Sequence, residues 1–438
     1  MAGAGNKLFT SGSVLTASDV NTYLMDQTIM RFTSTTTRDA AFGGAGEATL
    51  AEGMFAYTTD TNTLWLYNGS SWIAVLGSDI GAISTDNRNV IINGAMQVAQ
   101  RGTSVAGFTG GDFIYRTADR FNTAISSLGT WTESVENDAP TGSGLRKSIK
   151  FLCTTADASP AASDYFIMTQ SLEGQNVQQF AKGTASAKSF AVSFWVKSNV
   201  TGTYTVNLRD IDNTRSCAAS YSVSASATWE KKTIIFPADT TGAFDNDNAA
   251  SLRLVFNLAL GSDYSSGTLQ TTWGANVDAN LAVGQTNLAA ATNNYWQVTG
   301  VQLEVGSVAT PFEFEDIGVT LAKCQRYYWQ LTGSTVGFFG INSGVTSRGG
   351  TANDAIIKNP VFFRAPATSV SWGGTVALET HYGSGTSRNA TAVTLDSSTN
   401  VLNSCIQIAT STYAAGGTNQ LMFLGASSAS FIGFSAEL

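Results

Sequence analysis

The chain has 438 residues, of which 43% are hydrophobic and only 13% are charged, and this length predicts more than one domain. Its 24 basic and 32 acidic side chains give a net charge of −8, and without a basic stripe a nucleic-acid partner is excluded. One histidine and four scattered cysteines exclude zinc and iron–sulfur sites, so we expect neither a metal nor a cofactor.

Cysteine usage and hydropathy indicate where the chain is made. The wide spacing of the four cysteines favours buried free thiols over a disulfide framework. The N-terminus lacks the apolar core of a secretory signal, and no window of 18 apolar residues predicts insertion into a membrane. We therefore expect synthesis in a cytosol.

The N-terminal region predicts one helix and one small sheet. Thr16 and Asp19 fit a capping box, and apolar residues after them recur at helical spacing, which predicts a helix over 17–30. Residues 53–76 divide into three short strands separated by TDTN and NGSS, which is typical of a β-meander. Because so few strands bury little surface, we expect this unit to pair with copies of itself.

Residues 88–315 predict one antiparallel β-sandwich of about eight to ten strands. Apolar residues alternate cleanly in FAVSFWV, which starts at Phe190, and in LRLVFNL, which starts at Leu252. In the last strand the apolar phase changes at Gly300, which predicts a β-bulge there.

Residues 316–438 predict a connecting helix over 319–329 followed by a small β-sandwich. The strand candidates are all short, which favours an oligomer that covers their edges. They lie at residues 336–340, 361–364, 370–372, 391–395, 405–408, 421–424 and 431–434. The fold class is therefore all-β and modular.

Three segments carry a resemblance to a known family. They are NRNVIINGAMQVAQRGTS at 87–104, YRTADRFN at 115–122, and YWQVTGVQLEVGSVATPFEFEDIGVTLAKCQRYYWQ at 295–330. Together they resemble bacteriophage tail-fibre and related virion-appendage proteins. Between them, FAVSFWVKSNVTGTYTVNLRD resembles the jelly-roll sandwich of carbohydrate-binding modules, and the N-terminal region resembles the particle-attachment end of phage structural proteins.

The resemblance implies a homotrimer that is assembled in the host cytoplasm and carried on the virion as a tail appendage. Residues 1–87 would bind a phage tail, baseplate or adaptor protein. The remainder would attach the particle to a glycan or protein of the host surface. The alternative is a purely structural virion component, such as a head fibre, decoration or collar protein, that binds no receptor.

No catalytic constellation stands out, so we predict that the chain is not an enzyme. His381 lies in a turn-rich loop, and no G-x-S-x-G elbow accompanies it. Glu313 with Glu315 and Asp316, or Asp245 with Asp247, could pair as glycosidase carboxylates. We interpret the first pair as a strand end and the second as a solvated turn.

Aromatic side chains in polar loops are the remaining functional signal, because a sugar ring stacks on an exposed aromatic face. A loop tryptophan can equally close the end of its own sandwich. Trp195, Trp229 and Trp296 lie within alternating strands, so we expect them in the core. The predicted glycan contacts are Trp131, Tyr264, Trp273, Trp372, His381 and Tyr382.

Overall fold

The computed structural model describes residues 14, 16, 29–43, 49–76, 88–332, 339–347, 352–379, 388–410, 420–424 and 430–438. These residues are nearly all β, which confirms the predicted fold class. The chain divides into two compact units, residues 1–87 and residues 88–438. Within the described ranges, no helix has the length and apolar character needed to cross a membrane.

The N-terminal unit is a four-stranded sheet in the order β1-β2-β3-β4. The three strands of the predicted meander are confirmed, and β1 adds to β2 in parallel. Most of the helix predicted over 17–30 lies outside the described residues, but Met30 begins β1, so the predicted helix end is wrong. The elements are β1 (Met30–Phe32), α1 (Thr35–Asp39), β2 (Phe55–Thr58), β3 (Thr63–Tyr67) and β4 (Trp72–Leu76).

A buried arginine packs against this small sheet. Ser34 and Thr37 form a capping box at the start of α1, which places Arg38 against the sheet. The Arg38 guanidinium lies 4.6 Å from the ring centre of Trp65 and 5.0 Å from that of Trp72. These cation–π contacts stabilise a sheet that has little apolar surface of its own to bury.

The second unit begins with a sandwich of thirteen strands, more than predicted because several are short edge strands. Every strand pair in it is antiparallel. The strands are β5 (Ser104–Phe108), β6 (Gly111–Ile114), β7 (Asn122–Ser126), β8 (Thr130–Glu136), β9 (Ser148–Thr155), β10 (Tyr165–Glu173), β11 (Phe190–Ser198), β12 (Gly202–Asp210), β13 (Arg215–Val223), β14 (Glu230–Phe236), β15 (Ala250–Leu260), β16 (Gly274–Ala275) and β17 (Tyr295–Val305).

Two sheets face each other across the main core. One has seven strands in the order β16-β13-β12-β15-β10-β7-β6, and the other has six in the order β14-β11-β17-β9-β8-β5. A short helix, α2 (Ser262–Ser265), follows β15. Short 3₁₀ turns cover Gly174–Asn176, Gln178–Phe180, Asp278–Asn280 and Leu288–Ala290.

The alternation in the sequence correctly predicted the core. The apolar residues of β11 from Phe190 and of β15 from Leu252 are fully buried at every second position. The predicted bulge is also confirmed, because the pairing of β11 with β17 shifts register next to Gly300, whose φ is +60°. This shift lets both Trp296 and Val301 point into the core. All four cysteines are buried and unpaired.

A buried carboxyl in the sandwich makes stability depend on pH. Glu133 is 1% exposed and accepts hydrogen bonds from the backbone N and the Oγ1 of Thr117, but its Oε2 has no partner. Burial raises the pKa of Glu133 to about 7, although Thr117 and Arg116 lower it. The folded carboxyl holds its proton more tightly than the unfolded one. Its stabilising contribution is therefore complete below about pH 4.5 and is lost as the pH rises through about 7.

We expect the free energy of unfolding to fall by about 2 kcal/mol between pH 5 and pH 8, and Glu133→Gln to remove most of this fall. Glutamine keeps the acceptor for Thr117 without a charge. Urea denaturation at a series of pH values measures the free energy of unfolding of the wild type and of the variant. Burial raises the pKa of Asp119 to about 6, so the free energy of unfolding of Glu133→Gln should still fall slightly with rising pH. A wild-type chain that gains stability over this range would contradict the prediction.

The C-terminal part is a three-stranded sheet, β18-β26-β21, and a closed barrel in the order β19-β20-β24-β23-β22-β25. A small sandwich was predicted here, and the barrel instead pairs every edge. The elements are α3 (Ile317–Gln325), β18 (Tyr328–Thr332), β19 (Phe339–Ser347), β20 (Ala352–Lys358), β21 (Ser369–Gly373), β22 (Val376–Glu379), β23 (Arg388–Leu395), β24 (Asn403–Thr410), β25 (Gln420–Leu424) and β26 (Phe431–Ser435).

Two predicted elements in this part were wrong in detail. The connecting helix ends at Gln325 rather than at residue 329, because Tyr328 and the residues after it pair with β26. Residues 361–364 form no strand: the backbone N–H groups of Phe363 and Arg364 donate to the carbonyls of Val401 and Arg326 outside any sheet. The described part of the candidate at 336–340 belongs to β19, and the other candidates overlap β21, β23, β24, β25 and β26.

The segments that carry the phage resemblance meet in a polar junction between the sandwich and the C-terminal strands. Arg120, fully buried, pairs with Glu437 and lies 3.4 Å from the ring centre of Tyr327. Arg101 lies 3.4 Å from the ring centre of Tyr328 and 3.3 Å from Glu437. The resemblance therefore marks residues that join two parts of one fold.

Candidate functional site

The outer face of the seven-stranded sheet carries a band of polar side chains. Along β12, Val206 and Leu208 pack in the core, so their neighbours lie on the opposite face. Arg209 is paired directly with Arg253 on β15, and Arg253 with Ser171 on β10, so these three side chains form one row across three strands. The other outer positions are Thr205, Asn207, Val255, Asn257, Ile167 and Thr169.

The segment after β15 folds back over one end of this band. The carbonyl oxygen of Leu281 accepts a hydrogen bond of 2.8 Å from Asn207 Nδ2. Gln285 Oε1 accepts from the backbone N and the Oγ1 of Thr205, at 2.7 and 2.8 Å. These contacts bury Thr205 and Asn207, whereas Arg209 and Arg253 at the other end stay partly exposed.

Aromatic rings border the same face. Tyr264, in α2, meets Tyr165 edge to face with the ring centres 5.9 Å apart. The Tyr165 hydroxyl donates to Asp112 Oδ1 at 2.5 Å, and this bond raises the pKa of Tyr165 to about 12. Phe113 is 37% exposed, has a φ of +54°, and lies 4.4 Å from the Arg253 guanidinium. A non-glycine residue in this backbone region is strained, which is common at binding sites.

We name this surface the arginine–tyrosine face. From Ser171 to Tyr165 it extends about 20 Å along β10. Thr169, Ile167, Val255 and Asn257 between these ends are buried, so a ligand can reach only the partly exposed side chains at the borders. The arginine–tyrosine face consists of Asp112, Phe113, Tyr165, Arg209, Arg253 and Tyr264.

The two arginines are poorly compensated by the rest of the chain. Arg253 Nε donates to Ser171 Oγ at 2.9 Å. Among the residues described, Arg209 has no hydrogen-bond or ion-pair partner, and its Nε is shielded from solvent. Burial lowers the pKa of both guanidinium groups, and Arg253 lowers that of Arg209 further. Like charges directly opposite on neighbouring strands destabilise a sheet.

A second candidate lies on the outer face of the six-stranded sheet. Asp138 accepts from Trp229 Nε1 at 3.2 Å and from Gln297 Nε2 at 3.3 Å, and it pairs with Lys197. Beside it is a pocket of about 560 Å³ lined by residues between Asn137 and Arg146. We name these residues the Asp138 cluster. Because its polar groups already bond one another, the cluster has fewer free hydrogen-bonding groups for a ligand than the arginine–tyrosine face has.

Of the predicted glycan contacts, only Tyr264 belongs to the arginine–tyrosine face. Trp131 is fully buried and donates to the Leu128 carbonyl at 2.5 Å, so it is a core residue and that prediction was wrong. Trp273 packs on Phe190 at 5.5 Å and closes one end of the sandwich. Trp372 is half-buried against the C-terminal core. His381 and Tyr382 lie outside the described residues.

The expected burial of strand tryptophans was only partly correct. Trp296 is fully buried, but Trp195 and Trp229 are partly exposed. Trp195 falls between the core residues Phe194 and Val196, so the alternation of β11 directs it outward.

Sequence reasoning missed Arg209, Arg253 and Tyr165. A signal was present, because each of the two arginines occupies an outward position between or beside the core residues of an apolar alternation. That the two arginines lie opposite one another could be learned only from the strand pairing.

No protein-family model matches the chain. No curated protein matches it either. Among solved structures, it is similar to the enzymatically active domain of tailspike protein 4 from bacteriophage CBA120, with 12% identity and a TM-score of 0.27. That match covers 50% of this chain and only 21% of the tailspike chain.

Two carbohydrate-binding modules are also similar over about half of the chain. One is TmCBM61 in complex with β-1,4-galactotriose, with 8% identity, a TM-score of 0.26, and coverage of 50% of this chain and 99% of the module. The other is the family 11 module from Clostridium thermocellum in complex with a mixed-linked tetrasaccharide, with 11% identity, a TM-score of 0.24, and coverage of 47% and 99%. Likenesses this weak transfer neither a ligand nor a binding residue.

Proposed function

We propose that the chain is a bacteriophage tail fibre that attaches the virion to a glycan on the host surface. The observation that carries the glycan assignment is the arginine–tyrosine face, where aromatic rings lie beside hydrogen-bond donors without internal partners. Tyrosine rings stack on the apolar face of a sugar, and polar side chains bind its hydroxyls. The phage assignment is supported by the sequence segments at 87–104, 115–122 and 295–330.

In this proposal the fibre is a homotrimer on the virion. Residues 1–87 bind the phage tail, baseplate or an adaptor, and the sandwich contacts the receptor. Light scattering of the full chain tests the trimer. Adsorption of particles that lack the protein tests the attachment role, and normal adsorption would favour the structural alternative of a head fibre, decoration or collar protein.

Tyr264→Ala is expected to weaken binding of the full chain to a host glycan about tenfold, equivalent to about 1.4 kcal/mol, because the variant loses a stacking ring. The glycan is first identified on an array of host surface polysaccharides, and the affinity is then measured by calorimetry. Tyr264 is partly exposed, so the thermal stability of the variant should stay close to that of the wild type.

Trp229→Ala is the matched control, since it removes an equally accessible aromatic ring from the opposite sheet. It should leave glycan affinity unchanged. If Trp229→Ala abolished binding and Tyr264→Ala did not, the Asp138 cluster would be the site instead.

A further inference from the structure

Two arginines face each other on the outer surface of the sandwich without an acid between them. Arg209 and Arg253 are direct partners in the pairing of β12 with β15, so their side chains leave the sheet on the same side. A repulsive pair of this kind is costly unless something else compensates it. The chain has 32 acidic residues and a net charge of −8, yet none of the described acidic residues forms an ion pair with either arginine.

The nearby carboxylates do not form the missing ion pairs. Asp112 accepts a hydrogen bond from the Tyr165 hydroxyl, and Asp278 accepts a hydrogen bond of 2.8 Å from Asn276 Nδ2. Asp278 is close enough to favour the charged form of Arg209, but the two make no salt bridge within the described part of the chain. The two guanidinium groups therefore keep hydrogen-bond donors that no carboxylate of the described residues occupies.

The surroundings hold the two guanidinium groups in place. The Phe113 ring lies against the Arg253 guanidinium, and Ser171 Oγ accepts a hydrogen bond from Arg253 Nε. Tyr264 lies in the short helix after β15, and its electrostatic interaction with Arg209 raises the pKa of that guanidinium against the larger lowering by burial. An arginine fork binds a carboxylate or sulfate through two parallel hydrogen bonds, which a neutral hydroxyl cannot match.

We propose that the Arg209–Arg253 pair binds an oxyanion on the ligand, so that the glycan recognised by the arginine–tyrosine face is acidic. The inference rests on the proposed glycan-binding function and names its ligand class: a polysaccharide whose sugar rings carry carboxylate or sulfate groups. The anion accepts hydrogen bonds from the guanidinium donors that the described carboxylates leave unoccupied, and the tyrosine rings contact the sugar to which it is attached.

The test compares matched oligosaccharides on the full chain. Oligogalacturonate is titrated beside its carboxyl-reduced, neutral counterpart, and a sulfated galactan oligosaccharide forms a third arm. We expect the wild type to bind an acidic ligand at least tenfold more tightly than the neutral one at low ionic strength, and to lose this preference as salt is added. The better of the two acidic arms identifies the oxyanion.

Variants distinguish bidentate binding by the Arg209–Arg253 pair from a general effect of positive charge. Arg209→Gln should reduce the preference for the acidic over the neutral ligand to within twofold, and Arg209→Lys should give an intermediate preference. Lys188→Gln, the same charge change on an exposed lysine of the same sandwich, should retain the full preference. Without ligand, Arg209→Gln should unfold at an equal or higher temperature than the wild type, because it removes a like-charge contact.

The outcomes distinguish this inference from the function beneath it. Equal binding of acidic and neutral ligands, or an acidic preference that survives Arg209→Gln, would overturn the inference and leave glycan binding intact. Binding of none of the three ligands, nor of any glycan on the host array, would overturn both.

Discussion

Arg120→Met is expected to lower the free energy of unfolding of the second unit by about 3 kcal/mol, since it leaves Glu437 with only the longer contact to Arg101, at 3.3 Å, and removes a buried donor from the Ser171 carbonyl. Arg120 is fully buried, pairs with Glu437 and donates to the Ser171 carbonyl at 2.8 Å. Methionine fills similar space without replacing these bonds. Denaturant unfolding followed by tryptophan fluorescence measures the loss.

The double variant Arg120→Met with Glu437→Gln is the control for this prediction. It removes both charges, so it should recover much of the stability that the single variant loses. Hydrogen exchange of β26 should rise most in the single variant, because Glu437 follows that strand directly. A single variant within 1 kcal/mol of the wild type would show that the junction does not depend on this pair.

Lys182→Met is expected to lower the free energy of unfolding by about 3 to 5 kcal/mol, because it removes a second buried charge from the sandwich. The Lys182 ammonium is fully buried, 2.5 Å from Asp210 and 3.1 Å from Asp239. It also donates to the carbonyls of Thr241 and Gly242 at 2.9 and 2.6 Å. Without it, Asp210 keeps only Asn213 as a side-chain donor.

Arg215→Met provides the comparison for Lys182. Arg215 binds Asp239 through two bonds of 2.9 and 3.0 Å, but its side chain is 18% exposed, and Asp239 retains Lys182 when it is removed. We expect a loss of about 1 to 2 kcal/mol. Thermal unfolding of both variants at neutral pH decides the matter: equal losses would mean that the burial of Lys182 adds nothing.

Local patterns in the sequence predicted most of the sandwich. The alternation around Phe190 and Leu252 identified core strands, and the change of phase at Gly300 identified a bulge, because a side-chain period of two follows from backbone geometry alone. The same logic placed the meander of residues 53–76. It failed at 361–364 and at the end of α3, where pairing or loop contacts with distant residues decide the conformation.

The aromatic candidates show the limit of this reasoning. A tryptophan beside a polar turn has the same sequence pattern whether its side chain faces solvent or fills the end of its own sandwich. Trp131 proved to be core and Trp273 closes the sandwich, whereas Tyr264 lies on the candidate site. Burial is a property of what packs above a residue, and the covering residues come from remote parts of the chain.

By itself the sequence determined an all-β chain, the inward faces of its longest strands, and the absence of disulfide or zinc motifs, since these depend on periodicity and composition. Only the tertiary structure decided that Arg209 lies opposite Arg253, and that Arg101 and Arg120 both meet Glu437. Strand register and the docking of the chain's end join residues far apart in sequence. No local pattern encodes which of them will be neighbours, and it is these neighbours that make both the polar junction and the candidate site.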